Sequence, residues 1–500
     1  MSEIDANASL LDFAESAAET MEHHDFDLTE EIALQHAQQG DLERAVEIAE
    51  TISDPYLRDQ TIGYIATFCA DHSADDFSME LLQSIEDPMM LEMAAGRVAT
   101  RFGQHGNIDS AMEATSYLAD ADPALSNVAV AAANGGFEEK GRQVILSIES
   151  PGIRASALGQ IILSSIARSP RADVDEMVSE LDRTLEDVEF DDEKLDATVS
   201  LCTIYQTRGD NELALETLEK ANCLASQLDD VESDDEPSSF VKDVALGQIV
   251  AGFARLKAFE RADQVLAEIS DPFQFATASL SLAMLYDREQ HGEEINDLLS
   301  QALEIGNEQG NFGENSGRQR DALFVELARA HASLGNFEKS FAITSAIESS
   351  NEQLRALNEV AAVAAATGHI ENCQKAASLL ESRASRVTYW LELSEVFRKL
   401  DNVSQAESSI AKATEEARAI EDPFDRSSAL SDIGLQLSLQ SNQQSAGLIF
   451  TEAVSLVPSI ENTFRKVKAL LNLSSKFWTA KRELTAAESD ALSDMLSQIE

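Results

Sequence analysis

This 500-residue chain carries 8 histidines, 4 cysteines and 90 acidic side chains, the groups that bind metals or move protons. Their spacing argues against both tasks. Cys69, Cys202, Cys223 and Cys373 stand 133, 21 and 150 residues apart, which makes neither a zinc knuckle nor a CxxC redox pair. They are expected to be reduced and buried as small apolar residues. No HExxH helix, nucleophile motif or assembled metal set occurs, so no enzyme activity, metal or cofactor is expected. Asn307 to Gly317 holds Gly310, Gly313 and Gly317. It lacks the flanking strand and the lysine-hydroxyl ending of a phosphate loop.

The acids that carry no catalytic pattern still set the electrostatics. Against 37 basic residues they leave a formal charge of −53, which opposes general nucleic-acid binding because phosphates are repelled. A lysine-poor, acid-rich surface is also what salt adaptation produces. At 44% hydrophobic residues the chain has ample material for a core. Only 9 prolines and 22 glycines interrupt it, which favours helix. The start, Met1-Ser2-Glu3-Ile4-Asp5, has no basic residue and no apolar run of signal-peptide length. No run approaches the ~18 apolar residues of a membrane span, so a cytoplasmic protein without stable membrane insertion is expected.

A repeat positions the remaining candidates. Gly40-Asp41-Leu42-Glu43-Arg44-Ala45, Gly209-Asp210-Asn211-Glu212-Leu213-Ala214 and Gly335-Asn336-Phe337-Glu338-Lys339-Ser340 each read as helix end, tight turn and helix start. Twelve turn residues align: Gly40, Ser73, Gly106, Gly136, Ser169, Gly209, Lys257, Gln290, Gly335, Gly368, Asp401 and Ser441. Six of their eleven intervals are 33 residues. Eight residues before them stand only aliphatics, from Ile32 to Ile433, and the next position is small in ten of twelve, as at Ala33, Cys202 and Gly434. Leu430, Ile433, Gly434 and Leu437 form one apolar stripe at helical spacing. Small residues let two helices approach, and a lone hairpin cannot bury both faces, so hairpins must stack. Ile52-Ser53-Asp54-Pro55, Ile85-Glu86-Asp87-Pro88, Ile269-Ser270-Asp271-Pro272 and Ile420-Glu421-Asp422-Pro423 close units, with Asp to cap and Pro to open the next helix.

These residues resemble the tetratricopeptide repeat family. The unit at Gly209 matches best, with Leu201, Cys202 and Tyr205 before the turn and Ala214, Leu218 and Ala221 after it. The unit at Asp401 adds Trp390, Leu393, Phe397, Ala406 and Ala413. The last unit has Leu430, Ile433, Gly434, Ala446, Phe450, Ala453 and Pro458. The units at Ser169 and Gln290 depart most. The resemblance implies an all-α, right-handed α-solenoid of about twelve helix-turn-helix repeats with a C-terminal capping helix pair. It implies a scaffold for protein interaction. The expected layout is an acidic N-terminal segment or cap over 1–25, the solenoid over 26–458 and capping helices with a basic patch over 459–500. Insertions are expected at about 229–238 (acidic) and about 306–318 (glycine-rich).

Three offsets carry candidate interactions. Fifteen residues before the turn stand Arg58, Arg154, Lys194, Lys242, Arg320, Arg386 and Arg426, expected to pair between repeats. The groove face lies ten and six before it, where Gly63, Gly96, Gly159 and Gly247 imply close approach of another backbone. Nine before the last four turns stand Glu326, Glu359, Glu392 and Asp432, with Arg329, Arg355, Asn358 and Glu395 near them. A solvated face is one reading. An acidic groove wall that holds a Lys- or Arg-bearing protein segment is the sharper one. The lysine and asparagine arrangement of a peptide-carboxylate clamp is missing. His36 and His331 share an inward offset and should be packed.

The segment from Arg465 to Arg482 holds Arg465, Lys466, Lys468, Lys476, Lys481 and Arg482 and no acid, beside Phe464, Phe477 and Trp478. It reads as a capping helix that neutralises acidic neighbours, or as a surface through which the chain self-associates. Thr485-Ala486-Ala487-Glu488 reads as a capping box. The expected function is therefore a non-enzymatic scaffold or adaptor, with assembly through the C-terminal helices as the alternative.

Overall fold

A proline or glycine at a unit boundary, an aliphatic stripe and a small residue beside it are enough to form a hairpin, and the computed structural model is a succession of them. It describes residues 8–21, 26–169, 174–228, 238–308 and 316–499. Among these are 27 α-helices, one 3-10 turn and no strand. The protein is an all-α helical-repeat solenoid. Most of the acidic insertion and of the glycine-rich one lies outside the described residues.

Helix α1 (Leu10–Glu19) leads. Then come α2 (Phe26–Gln38) and α3 (Leu42–Glu50), α4 (Pro55–Asp71) and α5 (Asp75–Ser84), α6 (Pro88–Gln104) and α7 (Ile108–Thr115), and α8 (Asp122–Asn134) and α9 (Glu138–Ile145). The middle pairs are α10 (Pro151–Arg168) and α11 (Asp175–Asp187), α12 (Asp191–Arg208) and α13 (Asn211–Gln227), α14 (Ser238–Arg255) and α15 (Phe259–Leu266), and α16 (Pro272–Leu285) and α17 (Gly292–Asn307). Next are α18 (Ser316–Ser333) and α19 (Phe337–Thr344), α20 (Ser350–Ala366) and α21 (Ile370–Ser378), and α22 (Arg383–Lys399) and α23 (Val403–Arg418). The chain ends with α24 (Pro423–Leu439) and α25 (Gln443–Leu456), then α26 (Thr463–Ala480) and α27 (Ala486–Ile499).

Ten of the twelve aligned turn residues have positive φ, from Asp401 at 57° to Gly136 at 91°. That left-handed residue reverses the chain between the two helices, as in a C-terminal helix cap. The two exceptions are the units at Ser169 and Gln290. Ser169 is extended, with φ −142°. Before Gln290 the first helix stops at Leu285, and Tyr286 stacks on Phe259 at 4.6 Å while its hydroxyl donates to Asp263 at 3.0 Å. An eleventh left-handed residue, Lys481 at φ 51°, separates α26 from α27.

All twelve aliphatics eight residues before the turns are buried. Each such side chain contributes roughly 1.5–3 kcal/mol on burial. The Asp-Pro junctions work as expected. Asp54 accepts from the Tyr56 and Leu57 amides, Asp87 from Met90, Asp271 from Gln274 and Asp422 from Asp425.

Contacts divide the chain into two units, Met1–Leu91 with Leu354–Glu500, and Glu92–Gln353. In the second, first helices stack in order: α8 on α10, α10 on α12, α12 on α14, α14 on α16 and α16 on α18. In the first, α22 packs on α24 and α24 on α26. There the two terminal segments pack on one another: α26 contacts α1 and α2, and α27 contacts α1. Gln35 donates its amide to the Leu471 carbonyl at 3.0 Å in a buried bond, and Lys468 pairs with Glu31 at 2.7 Å.

Three of the four mid-helix glycines, Gly96, Gly159 and Gly247, do not mark close backbone approach, for what a Cβ would meet there is at most a side chain. A Cβ at Gly96 would meet nothing within 4 Å, and at Gly159 and Gly247 it would meet only the Cβ atoms of Ser200 and Ala278, at 3.4 and 3.7 Å. The cysteine expectation is corrected at one position. Cys69, Cys202 and Cys373 are buried free thiols, whereas Cys223 is exposed. Burial pushes Cys69 and Cys202 up to about 12 and Cys373 up to about 11, so all three stay protonated.

Candidate functional site

Helical spacing puts the four aligned carboxylates on first helices, and their neighbours decide what each can do. In the unit Glu92–Gln353, Glu326 on α18 is bound by Arg329 of the same helix at 2.6 Å. The other six expected residues belong to the unit containing 354–500. Arg355, Asn358 and Glu359 lie on α20, Glu392 and Glu395 on α22, and Asp432 on α24.

These side chains link consecutive first helices. The Asn358 amide donates to the Glu392 carboxylate, joining α20 to α22. The Gln436 amide donates to Glu395, joining α24 to α22, and Arg398 holds the same carboxylate at 2.8 Å. Lys476 pairs with Asp432 and donates to the Ser431 hydroxyl at 3.1 Å, joining α26 to α24. Arg398, then the Gln436 amide, hold Glu395 below its ordinary pKa against desolvation. Crowding by protein raises Glu392 above its ordinary value, and the Asn358 bond offsets part of that. Glu359 is exposed and makes no ion pair among the described residues. Arg355 is exposed beside it on the same helix.

Four of the six bases between Arg465 and Arg482 are paired within the chain. Arg465 pairs with Asp422 at 2.7 Å and lies over the Phe424 ring, Lys468 takes Glu31, Lys476 takes Asp432, and Arg482 takes Glu488 at 2.7 Å. Phe477 is buried and Trp478 is exposed. The capping box forms: Thr485 N–H donates to Glu488 at 2.8 Å, and Glu488 N–H to the Thr485 hydroxyl at 3.3 Å.

Five of the seven residues of the basic ladder make contacts within the chain. Arg154, Arg386 and Arg426 each donate to the carbonyl six residues back, at Ile148, Leu380 and Ile420. Those carbonyls end the preceding unit, and a cation there satisfies acceptors that the helix cannot. Arg320 reaches the Gly306 carbonyl and Glu348, and Arg58 binds Asp59.

A second device at the next position escapes the sequence reading. Asp59, Asp122, Asp243 and Asp321 stand fourteen residues before their turns. Each accepts two consecutive backbone N–H groups where the chain enters the next unit. These are Glu86 and Asp87, Glu149 and Ser150, Ser270 and Asp271, and Glu348 and Ser349, at 2.6–3.2 Å. Arg58-Asp59, Lys242-Asp243 and Arg320-Asp321 show the pair as a base–acid dipeptide, which is the signal that was available.

On the expected groove face of α12, α14 and α16 opens a concavity of about 440 Å³. Val199 and Gly247 line it ten residues before their turns, and Thr203 and Ala251 six before. Gln206, Gln248 and Gln274 add amides, and Arg255 is the single charged residue among the described lining. His36 and His331 are buried as expected. His36 contacts Glu15 at 3.3 Å, while neither ring nitrogen of His331 has a hydrogen-bond partner among the described residues. Among the described residues no group of acids, histidines and cysteines could hold a metal, and no helix is long and apolar enough to cross a membrane.

No family model matches the chain, and no curated protein matches it. Solved structures show distant likenesses. The Ton1535 structure from Thermococcus onnurineus NA1 is 16% identical over 73% of this chain and 98% of that one, with a TM-score of 0.24. The human IFIT1 dimer with PPP-AAAA is 12% identical over 84% of this chain and 94% of that one, at 0.30. The APC/C hetero-tetramer Cut9-Hcn1 is 15% identical over 84% of this chain and 89% of that one, at 0.21.

Proposed function

We propose that the protein is a non-enzymatic binding scaffold that holds a segment of a partner protein along the exposed face of its first helices. The preferred segment bears lysine or arginine and is seated at Glu359 and Glu392. One observation carries this reading. Glu326, Glu395 and Asp432 already bind cations of the chain, whereas Glu359 has no ion pair among the described residues and Glu392 has a neutral amide partner. Asn358 brings these two positions together across α20 and α22. A cation gains most from a carboxylate that is not already neutralised. The alternative, assembly through the basic C-terminal helix, finds Arg465, Lys468, Lys476 and Arg482 already paired.

Capture and crosslinking with the full chain test the proposal. Glu359→Lys with Glu392→Lys should abolish recovery of a basic partner, and Glu326→Lys should leave it intact. Equal recovery by all three chains would sink the basic-segment reading.

A further inference from the structure

The outer face of the last solenoid unit departs from the rest of the chain in charge and in apolarity. Residues 433–451 carry no charged side chain, in a protein whose charged fraction is 25%. Within that run Leu448 is 69% exposed, and Val403 of the preceding unit is 61% exposed. Between α23 and α25 lies a groove of about 560 Å³, with Val403, Ile410, Leu437, Leu448 and Ile449 among its walls; its charged residues, Arg398, Glu407 and Arg418, stand outside the 433–451 run, and the two arginines are paired with Glu395 and Glu452.

The repeat register shows that Leu448 is not there for packing. Leu448 stands seven residues after its turn, a position that is exposed in all twelve units. Five units place glutamate there: Glu47, Glu80, Glu113, Glu176 and Glu216. The others carry a charged, amide or small residue, and Leu448 is the one large apolar side chain.

We propose that this face is the contact through which two copies of the chain associate. Charge selects the occupant. Two chains of −53 repel wherever their acidic surfaces meet, and the uncharged run is where that repulsion is least. A basic partner gains more from any acidic face than from this one. A groove with the protruding Val403 and Leu448 at its walls can be self-complementary, as twofold association requires. Depletion of charge at the centre is the usual composition of an interface core. The contact is independent of the first-helix face at Glu359 and Glu392, so either can fail without the other.

Sedimentation of the full chain over a wide concentration range, at low and high salt, tests the proposal. The native chain should dimerise, and more tightly at high salt because screening weakens the repulsion. Leu448→Glu restores what five other units carry, so the circular-dichroism spectrum and unfolding midpoint should not move. The dimer dissociation constant should rise by at least about 30-fold. Val403→Glu should act in the same direction, and Trp478→Ala should leave the dimer intact. A native chain that stays monomeric at every concentration and salt overturns the proposal, whether or not another protein binds this face. Undiminished association of both the Leu448 and the Val403 variant, or dissociation by Trp478→Ala alone, also overturns it.

Discussion

Asp243 and Glu392 both reach from one repeat to the next, and they do different work. Asp243 is 2% exposed and accepts two backbone N–H groups, from Ser270 at 3.1 Å and Asp271 at 2.6 Å. Glu392 is exposed and takes one side-chain amide, from Asn358. Backbone donors at a buried joint have no water to turn to, so their acceptor cannot be replaced cheaply. A surface amide loses little when its acceptor goes, because water takes over. The same residue class therefore holds the array together at fourteen residues before the turn, while at nine Glu326 and Asp432 are paired and Glu392 takes only a neutral amide.

The largest effect should come from the joint. Asp243→Ala or Asp321→Ala strands two N–H groups and should cost about 3 kcal/mol in denaturant unfolding. A loss no greater than for an exposed acid would erase the distinction between the two carboxylates. Acid should weaken a joint of the same kind. Burial raises the pKa of Asp59, but the bonds from Asp87, Arg58 and Glu86 outweigh it and hold it below the ordinary value. Its contribution is present above the unfolded-state pKa and is lost as pH falls through the folded one. Asp59→Asn should flatten that acid limb.

His331 sharpens the comparison because it is buried without a joint to serve. Burial, with a smaller push from Lys339, lowers its pKa from 6.5 to about 4. The unfolded chain then takes up a proton first as pH drops, so stability should fall between about pH 6.5 and 4, by up to roughly 3 kcal/mol. His331→Leu should remove that slope, read as the difference from the native chain across the window. Lys476, 15% exposed and paired with Asp432, should cost about 1 kcal/mol when changed to Ala. Smallest in stability is Glu359→Lys, expected within about 0.5 kcal/mol while altering partner capture.

Much of the fold is legible in residue order. The turns at Gly40, Ser73 and Gly335 can be read from a few neighbours, because a left-handed residue, a small contact and an aliphatic stripe are local requirements. The two units whose pattern is weakest, at Ser169 and Gln290, are the ones whose turns depart from the left-handed geometry. The Lys481 turn was equally marked, by Leu473 and Ser474 before it and Ala486 after it, but its aromatic, basic surroundings drew attention to charge instead. The Asp joints were hidden for a different reason. Their donors lie 27 and 28 residues away, and in a chain with 90 acids one more Asp at an offset does not stand out.

Residue order alone thus determined the hairpin register, the buried stripe, the Asp-Pro caps and the alignment of Glu326, Glu359, Glu392 and Asp432. Tertiary structure alone decided which of those carboxylates are spent. Asp432 is taken by a lysine 44 residues on, and Glu31 by one 437 residues on. It also left Leu448 in water and joined the first and last helices in one unit. The physical reason is range. Turn sterics and helical periodicity act over a few residues, whereas the partner of a charge is set by packing between segments that no local pattern connects.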